Sequence, residues 1–291
     1  MCRQAIASAF PQFAAAPMSV AGRGWHSLAI DIDDLYIAKF PQGVEAETAL
    51  RREASLLAAI RPHVTIPVPA LSLHENRVLF SLHPKLLGER LERDDYLRLS
   101  VPQRLRLASD LAGFFAELHA LPVRAMREAG AADVEWWDTR PRTLEPVWQD
   151  LPPAIQHAAR DALEGYERLA LDPRADVFGF FDAHGWNMAF DHGEGKLNGV
   201  FDFGDAGIGP REREFVQVSL THPELARLAI EAYEVATRSP LDRRKVFLLT
   251  AAQRLSELAG ALESGESLSL IRSFAVDWFR QTEIRSSKPA G

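Results

Sequence analysis

The chain has 291 residues, a formal net charge of −7 and a single cysteine, Cys2. This length is enough for one large domain or two lobes. The negative charge argues against a nucleic-acid-binding protein that relies on a broad basic face. One cysteine excludes an internal disulfide and fits a reducing compartment. No apolar run is long enough to span a membrane, and the N-terminal residues do not form a convincing signal peptide. We therefore expect a cytoplasmic protein that binds neither nucleic acid nor membrane.

The first third of the chain has the pattern of a small antiparallel sheet. Apolar residues alternate on both sides of Gly24, which predicts two strands joined by a glycine-bearing turn. Such a turn allows backbone N–H groups to approach phosphate oxygens, because glycine has no side chain in the way. Three further strands are predicted at residues 35–40, 70–74 and 77–82, and two helices at residues 5–13 and 45–60.

Two charged residues stand out in this region. Lys39 lies within the third strand, and Glu53 lies in the middle of the following helix, whose predicted apolar stripe includes Ala54 and Ala58. A lysine and a glutamate on these two elements form the ion pair that orients nucleotide phosphates in kinases. Taken singly, each is more simply explained as a solvent-directed side chain. Their order along the chain, ahead of the motif described next, favours the functional interpretation.

The residue types at positions 182–205 predict phosphoryl-transfer chemistry. Asp182 precedes Asn187 by five positions, and Asp202 opens an Asp-Phe-Gly sequence. Kinases place a catalytic base in an Asp-x-x-x-x-Asn run and hold magnesium with the Asp-Phe-Gly aspartate. Asp182 is therefore the candidate base, and Asn187 and Asp202 are the candidate Mg²⁺ ligands. Residues 188–190 and 197–201 predict a hairpin that fixes their separation.

The remainder of the chain has helical periodicity. A long amphipathic helix is predicted from residue 101, with Leu105 in its apolar stripe and His119 as a structural residue at its end. More helices are predicted at 152–169 and 214–281, with breaks at Pro223, Pro240 and Gly265. The aromatic and acidic residues 134–138 would either line a site for a cation or anchor neighbouring helices. The order of elements predicts an α+β fold with two lobes, residues 1–84 and 85–285, and a disordered tail at 286–291.

The sequence is similar to the aminoglycoside phosphotransferase family, bacterial small-molecule kinases with a protein-kinase-like fold. The match spans nearly the whole chain. It rests on residues 10–11, 24–27, 36–41, 88–91, 118–122 and, most specifically, 200–210. The resemblance implies that Gly24 and Ser27 belong to the nucleotide loop and that backbone groups from Leu82 to Pro84 bind the nucleotide base. It also implies Mg²⁺, ATP or GTP as the donor, and an antibiotic or metabolite hydroxyl as the acceptor.

Two departures from the family pattern affect the functional prediction. The family usually writes its catalytic loop as His-Gly-Asp, whereas Phe180-Phe181-Asp182 stands here, and Glu214 replaces an aspartate usual after the Asp-Phe-Gly. A small-molecule kinase is the leading hypothesis. The alternative is a kinase-like nucleotide-binding protein with little turnover, which the loss of the loop histidine motivates.

The nature of the acceptor follows from weaker signals. Asp205, Glu212 and Glu214 lie beyond the metal site and favour a cationic acceptor such as an aminoglycoside. A sugar, a choline-like amine or an amino alcohol is nearly as well supported. Neither the donor nucleotide nor the oligomeric state, monomer or homodimer, follows from the sequence.

Overall fold

A five-stranded antiparallel sheet forms the N-terminal part of the chain. The computed structural model describes residues 1–23, 27–75, 78–170 and 172–286. The sheet has the strand order β1-β2-β3-β5-β4. Its strands are β1 (Met18–Arg23), β2 (Ser27–Ile32), β3 (Tyr36–Pro41), β4 (Ser72–Glu75) and β5 (Leu79–Pro84). The predicted sheet is confirmed. Gly24, which lies between β1 and β2 in the sequence, and residues 287–291 of the predicted tail lie outside the described residues.

Helix α1 (Cys2–Ala9) covers one face of this sheet. Ile6 is fully buried among apolar side chains of the strands, including Ile32 and Phe80. The helix predicted at 5–13 thus begins earlier and ends sooner. Phe10 leaves the helical conformation with φ −134°, and Pro11 starts a separate 3₁₀ turn. Proline cannot continue a helix because it lacks an N–H donor and clashes with the preceding turn.

Helix α2 (Val44–Ile60) joins the sheet to the rest of the molecule. Leu56, Leu57 and Ile60 are fully buried in the largest apolar cluster, most of which lies in the helical part. The predicted stripe is wrong at Ala58, which is exposed, because the larger leucine and isoleucine side chains fill the interior. Glu53 is on the buried face, 5% exposed.

The C-terminal part of the chain is mainly helical, so the α+β fold class is confirmed. Its helices are α3 (Arg93–Arg98), α4 (Val101–His119), α5 (Val123–Glu128), α6 (Pro141–Asp150), α7 (Pro153–Glu167), α8 (Glu214–Thr221), α9 (Pro223–Thr237), α10 (Arg243–Ser264) and α11 (Leu268–Ser286). The expected helix breaks fall at Pro223, Pro240 and Gly265. Leu105, assigned to the buried stripe of α4, is instead 50% exposed, since α4 buries the opposite side, with Leu107 and Leu111.

Two short antiparallel ribbons interrupt the helices. One pairs β6 (Val177–Gly179) with β9 (Gly207–Gly209), and the other pairs β7 (Met188–Asp191) with β8 (Lys196–Val200). The second is the hairpin predicted between the candidate metal ligands. Within the described ranges, no helix is both long and apolar enough to cross a bilayer.

Candidate active site

The β7–β8 hairpin brings the candidate metal ligands together. Met188 pairs with Val200 in its register, and the N–H of Phe201 donates to the carbonyl oxygen of Asn187 over 3.0 Å. Asn187 and Asp202, fifteen positions apart in sequence, therefore flank the same end of the ribbon. The backbone pairing, rather than any side-chain contact, sets their separation.

Asp182 lies beside Asn187 in the preceding loop. The Nδ2 of Asn187 donates to Oδ2 of Asp182 over 2.6 Å and to the Asp182 carbonyl oxygen over 3.1 Å. The Nε2 of His184 lies 3.2 Å from the other carboxylate oxygen of Asp182. His184 and Asn187 thus hold the carboxylate from two sides. Because Nδ2 of Asn187 makes these bonds, its Oδ1 is directed elsewhere and is a suitable oxygen donor for a hard cation.

Lys39 connects the sheet, helix α2 and the Asp-Phe-Gly segment. Its Nζ lies 3.0 Å from Oε2 of Glu53 and 2.8 Å from Oδ1 of Asp202. The other oxygen of Glu53 accepts the N–H of Phe203 over 3.1 Å. Although burial alone would lower the pKa of Lys39, the carboxylates of Glu53 and Asp202 outweigh it and raise that pKa above its ordinary value. Lys39 is therefore a cation at any physiological pH.

A cleft of about 420 Å³ lies between the sheet and this cluster. Ser27 and Lys39 line it, as the nucleotide-binding prediction requires of them. Leu82 does not: its side chain is buried in the core under α1, and its carbonyl oxygen accepts the hydroxyl of Ser72 over 3.0 Å. The cleft wall at this point consists of the neighbouring side chains, because alternate residues of a strand face opposite sides of a sheet.

These neighbours are His83 and Lys85, which the sequence patterns did not single out. The Nζ of Lys85 lies 2.7 Å from Oδ2 of Asp31, which also lines the cleft. Pro84 lies outside the cleft lining, and its carbonyl oxygen is 2.8 Å from Nδ1 of His83. Pro84 also has no N–H to donate. The carbonyl oxygens of Leu82 and Pro84 already make these hydrogen bonds. They are therefore less available to bind a nucleotide base, which is the role that the sequence predicted for them.

Glu214 and its partners hold the backbone that leads to the candidate base, Asp182. Its carboxylate accepts the N–H of Phe180 over 3.1 Å and that of Phe181 over 2.8 Å. The Nε2 of His119 lies 3.2 Å from the same carboxylate, and its Nδ1 lies 2.7 Å from the hydroxyl of Tyr233. His119 therefore has a structural role, as predicted.

Phe180 and Phe181 occupy the positions before Asp182 in different ways. The Phe180 ring is fully buried, with its centroid 4.6 Å from that of Phe203. Phe181 adopts φ 59°, a left-handed conformation that costs a non-glycine residue about 1–2 kcal/mol. The family pattern has glycine at this position, where the conformation is unstrained. The two bonds from Glu214 hold the strained backbone in place.

The three acidic residues proposed for the acceptor occupy different environments. Asp205 lies outside the cleft lining and instead lines a second recess, beside helix α2. Loss of solvation, and then the charges of Asp182 and Asp202, raise the pKa of Asp205 above its ordinary value. Glu212 is 6% exposed, and its carboxylate lies 3.0 Å from Nζ of Lys245. Together with the internal bonds of Glu214, this geometry favours structural roles for Glu212 and Glu214 over contact with an acceptor.

A further acid near the catalytic loop comes from α10. Burial raises the pKa of Glu257, and the charge of Asp182 adds to this effect, while Arg254 opposes it. The Nη1 of Arg254 lies 3.2 Å from Oε2 of Glu257, and Gln253 donates to the other oxygen over 3.0 Å. Nothing in the local sequence marks Glu257, because only the packing of α10 brings it near Asp182.

Comparisons with known proteins identify the family and the fold. A sequence model of the phosphotransferase enzyme family (APH) matches residues 19–247. A search of curated protein sequences found no match.

Among solved structures, the fold is similar to the GDP complex of wild-type aminoglycoside 2'-phosphotransferase-IIIa, with 20% identity, 97% of each chain covered and a TM-score of 0.76. The gentamicin complex of APH(2'')-IIa has 18% identity, 95% coverage of each chain and a TM-score of 0.64. Macrolide 2'-phosphotransferase MphH from Brachybacterium faecium has 17% identity, a TM-score of 0.58, and covers 95% of this chain and 93% of its own. At these identities the likeness establishes the fold.

Proposed function

Because the chain belongs to the APH phosphotransferase enzyme family, we propose that it is a magnesium-dependent kinase. It transfers the γ-phosphate of ATP or GTP to a hydroxyl group of a small molecule, either an aminoglycoside-like compound or another metabolite. The observation that carries the proposal is the cluster around Lys39. Lys39 contacts both Glu53 and Asp202, while Asn187, at the same end of the hairpin, holds Asp182. We expect the enzyme to work in the cytoplasm as a monomer or homodimer.

The donor set fits a magnesium ion. Asp202 uses one oxygen for Lys39, and its side chain is 53% exposed, which leaves the second oxygen accessible. Asn187 adds an amide oxygen. Magnesium needs only one or two protein oxygens when nucleotide phosphates and water complete its shell. When bound, the ion would neutralise the charge of the transferring phosphate.

The residues of the chain itself account for positioning and proton transfer. The acceptor hydroxyl donates its hydrogen bond to the Asp182 carboxylate, which His184 and Asn187 orient. As the hydroxyl oxygen bonds to the γ-phosphorus, the bond from that phosphorus to the β–γ bridging oxygen breaks, and the nucleoside diphosphate leaves. The hydroxyl proton passes to Asp182. Lys39 is a fixed cation for the non-transferred phosphates.

A second candidate function is nucleotide binding with little turnover. The observation that favours it is the strained backbone at Phe181, directly before the candidate base. The Glu214 network argues against it, because the loop is held by two hydrogen bonds to a buried carboxylate and Asp182 by two further side chains. A loop supported in this way does not need the family's histidine to keep its shape.

The decisive experiment is a screen of hydroxyl-bearing acceptors with MgATP and MgGTP, followed by two substitutions. Asp182→Asn should lower kcat by about 10²–10⁴-fold. Asp202→Asn keeps a side chain that tolerates the left-handed backbone at this position, φ 66°, and should abolish metal-dependent turnover. Asp161→Asn, at an exposed site on α7, is the control. Full turnover by Asp182→Asn would contradict the mechanism, and nucleotide binding without any phosphorylated acceptor would support the second candidate.

A further inference from the structure

A recess of about 400 Å³ lies beside the candidate active site, between helix α2 and the segments 132–135 and 204–207. We name it the guanidinium recess, because Arg52 and Arg213 line it. Its walls are fixed by backbone pairing: Val134 N donates to the Ile208 carbonyl oxygen over 2.9 Å, and Ile208 N to that of Ala132 over 2.8 Å. The recess is therefore a preformed concavity rather than a gap between mobile loops.

Arg213 is held in this recess mainly by aromatic rings. Its guanidinium carbon lies 4.3 Å from the ring centroid of Trp137, 5.5 Å from that of Trp136 and 5.9 Å from that of Phe181. Its Nη1 donates to the carbonyl oxygen of Glu135 over 2.7 Å. Its Nε is buried and has no hydrogen-bond partner among the residues that the structure describes. Stacking fixes the plane of a guanidinium without using its in-plane N–H donors, so the donors other than Nη1 remain available to a ligand.

Arg52, on helix α2, also lines the recess. Its side chain is half-buried, and its Nη2 donates to the carbonyl oxygen of Gly204 over 2.5 Å. Among the described residues, no carboxylate oxygen lies within 4.0 Å of a guanidinium nitrogen of Arg52 or of Arg213. Two partly buried cations thus face one recess with backbone carbonyls as their polar partners. A buried charge without a counter-ion is costly, so such a pair is typical of a site for an anion.

The acidic residues around the recess do not supply this counter-ion. Asp133 is paired with Arg127. Glu45 and Glu135 are exposed to solvent. Asp205 lines the recess as well, but among the described residues it forms no ion pair within 4.0 Å with either arginine. One carboxylate at that distance does not neutralise two guanidiniums.

The recess adjoins the reacting groups, because its wall residues Gly204 and Asp205 directly follow Asp202 and Phe203 in the chain. We propose that Arg213 and Arg52 bind a carboxylate or phosphate group of the acceptor, so that the substrate is a small hydroxylated anion rather than a polycation. The inference rests on the proposed kinase function and specifies its substrate class. Arginine suits this task because its planar fork matches the geometry of both oxyanions. An anionic acceptor also agrees with the internal positions of Glu212 and Glu214, because these positions remove most of the evidence for a cationic acceptor.

The first test measures anion binding directly. Inorganic phosphate and acetate are titrated into the full chain with a saturating non-hydrolysable nucleotide, which blocks the nucleotide cleft, and tryptophan fluorescence and calorimetry are recorded. Arg213→Gln and Arg52→Gln should each weaken binding by about 10- to 100-fold. The matched control is Arg160→Gln, because Arg160 stacks on Trp148 at 4.1 Å but is exposed and outside the recess. No anion binding, or binding that neither recess substitution changes, would overturn the proposal.

The second test compares acceptors that differ in one group. Glycerate is assayed against glycerol, gluconate against glucitol, and kanamycin represents polycations. We expect the enzyme to phosphorylate an acidic acceptor such as glycerate or gluconate. The KM for that acceptor should rise about tenfold or more in Arg213→Gln and by a smaller factor in Arg213→Lys. Thermal melts check that each variant is folded. If Arg213→Gln does not fold, Arg52→Gln provides an independent test. Phosphorylation of only neutral or cationic acceptors would contradict the anionic substrate but leave the kinase function standing. If the wild type binds no nucleotide, the kinase function is contradicted; the anion titration is then run without nucleotide, and the effects of the two recess substitutions still test the recess.

Discussion

The carboxylate of Glu214 accepts the backbone N–H of Phe181 over 2.8 Å, although the two residues are 33 positions apart. Phe181 directly precedes the candidate base and has a left-handed backbone, φ 59°. The same carboxylate also accepts the N–H of Phe180 and contacts His119. A buried carboxylate on α8 therefore holds the loop that leads to Asp182 in a conformation that the loop's own sequence does not favour.

This relationship predicts a large loss of stability in Glu214→Ala. The substitution leaves two buried N–H groups without acceptors, so the free energy of unfolding should fall by about 3 kcal/mol. Urea unfolding followed by circular dichroism measures it. Glu128→Ala, at an exposed site paired with Arg124, should change stability by less than about 0.5 kcal/mol. Equal, small effects of the two substitutions would show that Glu214 does not support the loop.

The left-handed backbone predicts an unusual order of stability at position 181. Both Phe181→Ala and Phe181→Gly lose the buried ring, but only glycine relieves the strain at φ 59°. The glycine variant should be about 0.5–1 kcal/mol more stable than the alanine variant, after its larger unfolded-state entropy is taken into account. Unfolding curves of the two variants give the difference directly.

An ordinary helix position provides the reference for this order. Ala58 is exposed within α2, and Ala58→Gly should lose about 1 kcal/mol relative to the wild type. The prediction for position 181 is wrong if alanine is also the more stable residue there.

The ion pairs of Lys39 predict its role in turnover. Lys39→Met removes the cation that contacts both Glu53 and Asp202, so kcat/KM for the nucleotide should fall by about 100-fold or more. Glu53 keeps its bond from the Phe203 N–H, so the variant should still fold. Steady-state assays with either nucleotide test this, with Lys196→Met, at an exposed position of β8, as the control. Unchanged turnover in Lys39→Met would exclude Lys39 from the site.

His222 predicts that stability decreases in mild acid. Burial, and then the charge of Arg93, lower the pKa of His222 below its ordinary value of 6.5. Its neutral Nδ1 accepts the N–H of Glu224 at the start of α9, and its ring stacks on Tyr96. His222 takes up a proton more readily in the unfolded chain than in the folded one. The stabilisation that neutral His222 contributes is therefore fully present above pH 6.5 and is lost as the pH falls through its folded-state pKa.

Unfolding free energies measured across this pH range test the effect. His222→Asn retains a capping side chain but cannot be protonated, so its stability should depend less on pH than that of the wild type. His157→Asn, with the histidine side chain 89% exposed, should leave the pH dependence unchanged. The same slope in all three proteins would exclude His222 as the titrating group.

The local patterns of the chain were sufficient for most of its elements. Alternating apolar residues around Gly24 predicted the first two strands, and three further strands were predicted from the neighbouring sequence. The breaks at Pro223, Pro240 and Gly265 predicted the helix boundaries. The hairpin between Asn187 and Asp202 also followed from the sequence, because strand and turn signals extend over a few neighbouring residues. For the same reason the Asp-x-x-x-x-Asn and Asp-Phe-Gly motifs could be recognised from spacing alone.

The tertiary structure decided the roles that depend on distant neighbours. Glu214 was proposed to bind the acceptor because it is an acidic residue beyond the metal site. Its carboxylate instead accepts the backbone N–H groups of Phe180 and Phe181 in the interior. Arg52 and Arg213 carry no motif and face one recess only because α2 packs beside segment 132–135. The sequence by itself determined which residue types can perform phosphoryl transfer and in what order they occur. Whether a charged side chain lies in the interior or in the cleft was decided by the packing of elements far apart in the chain, since burial and partner distance, not local pattern, set the free energy of a charge.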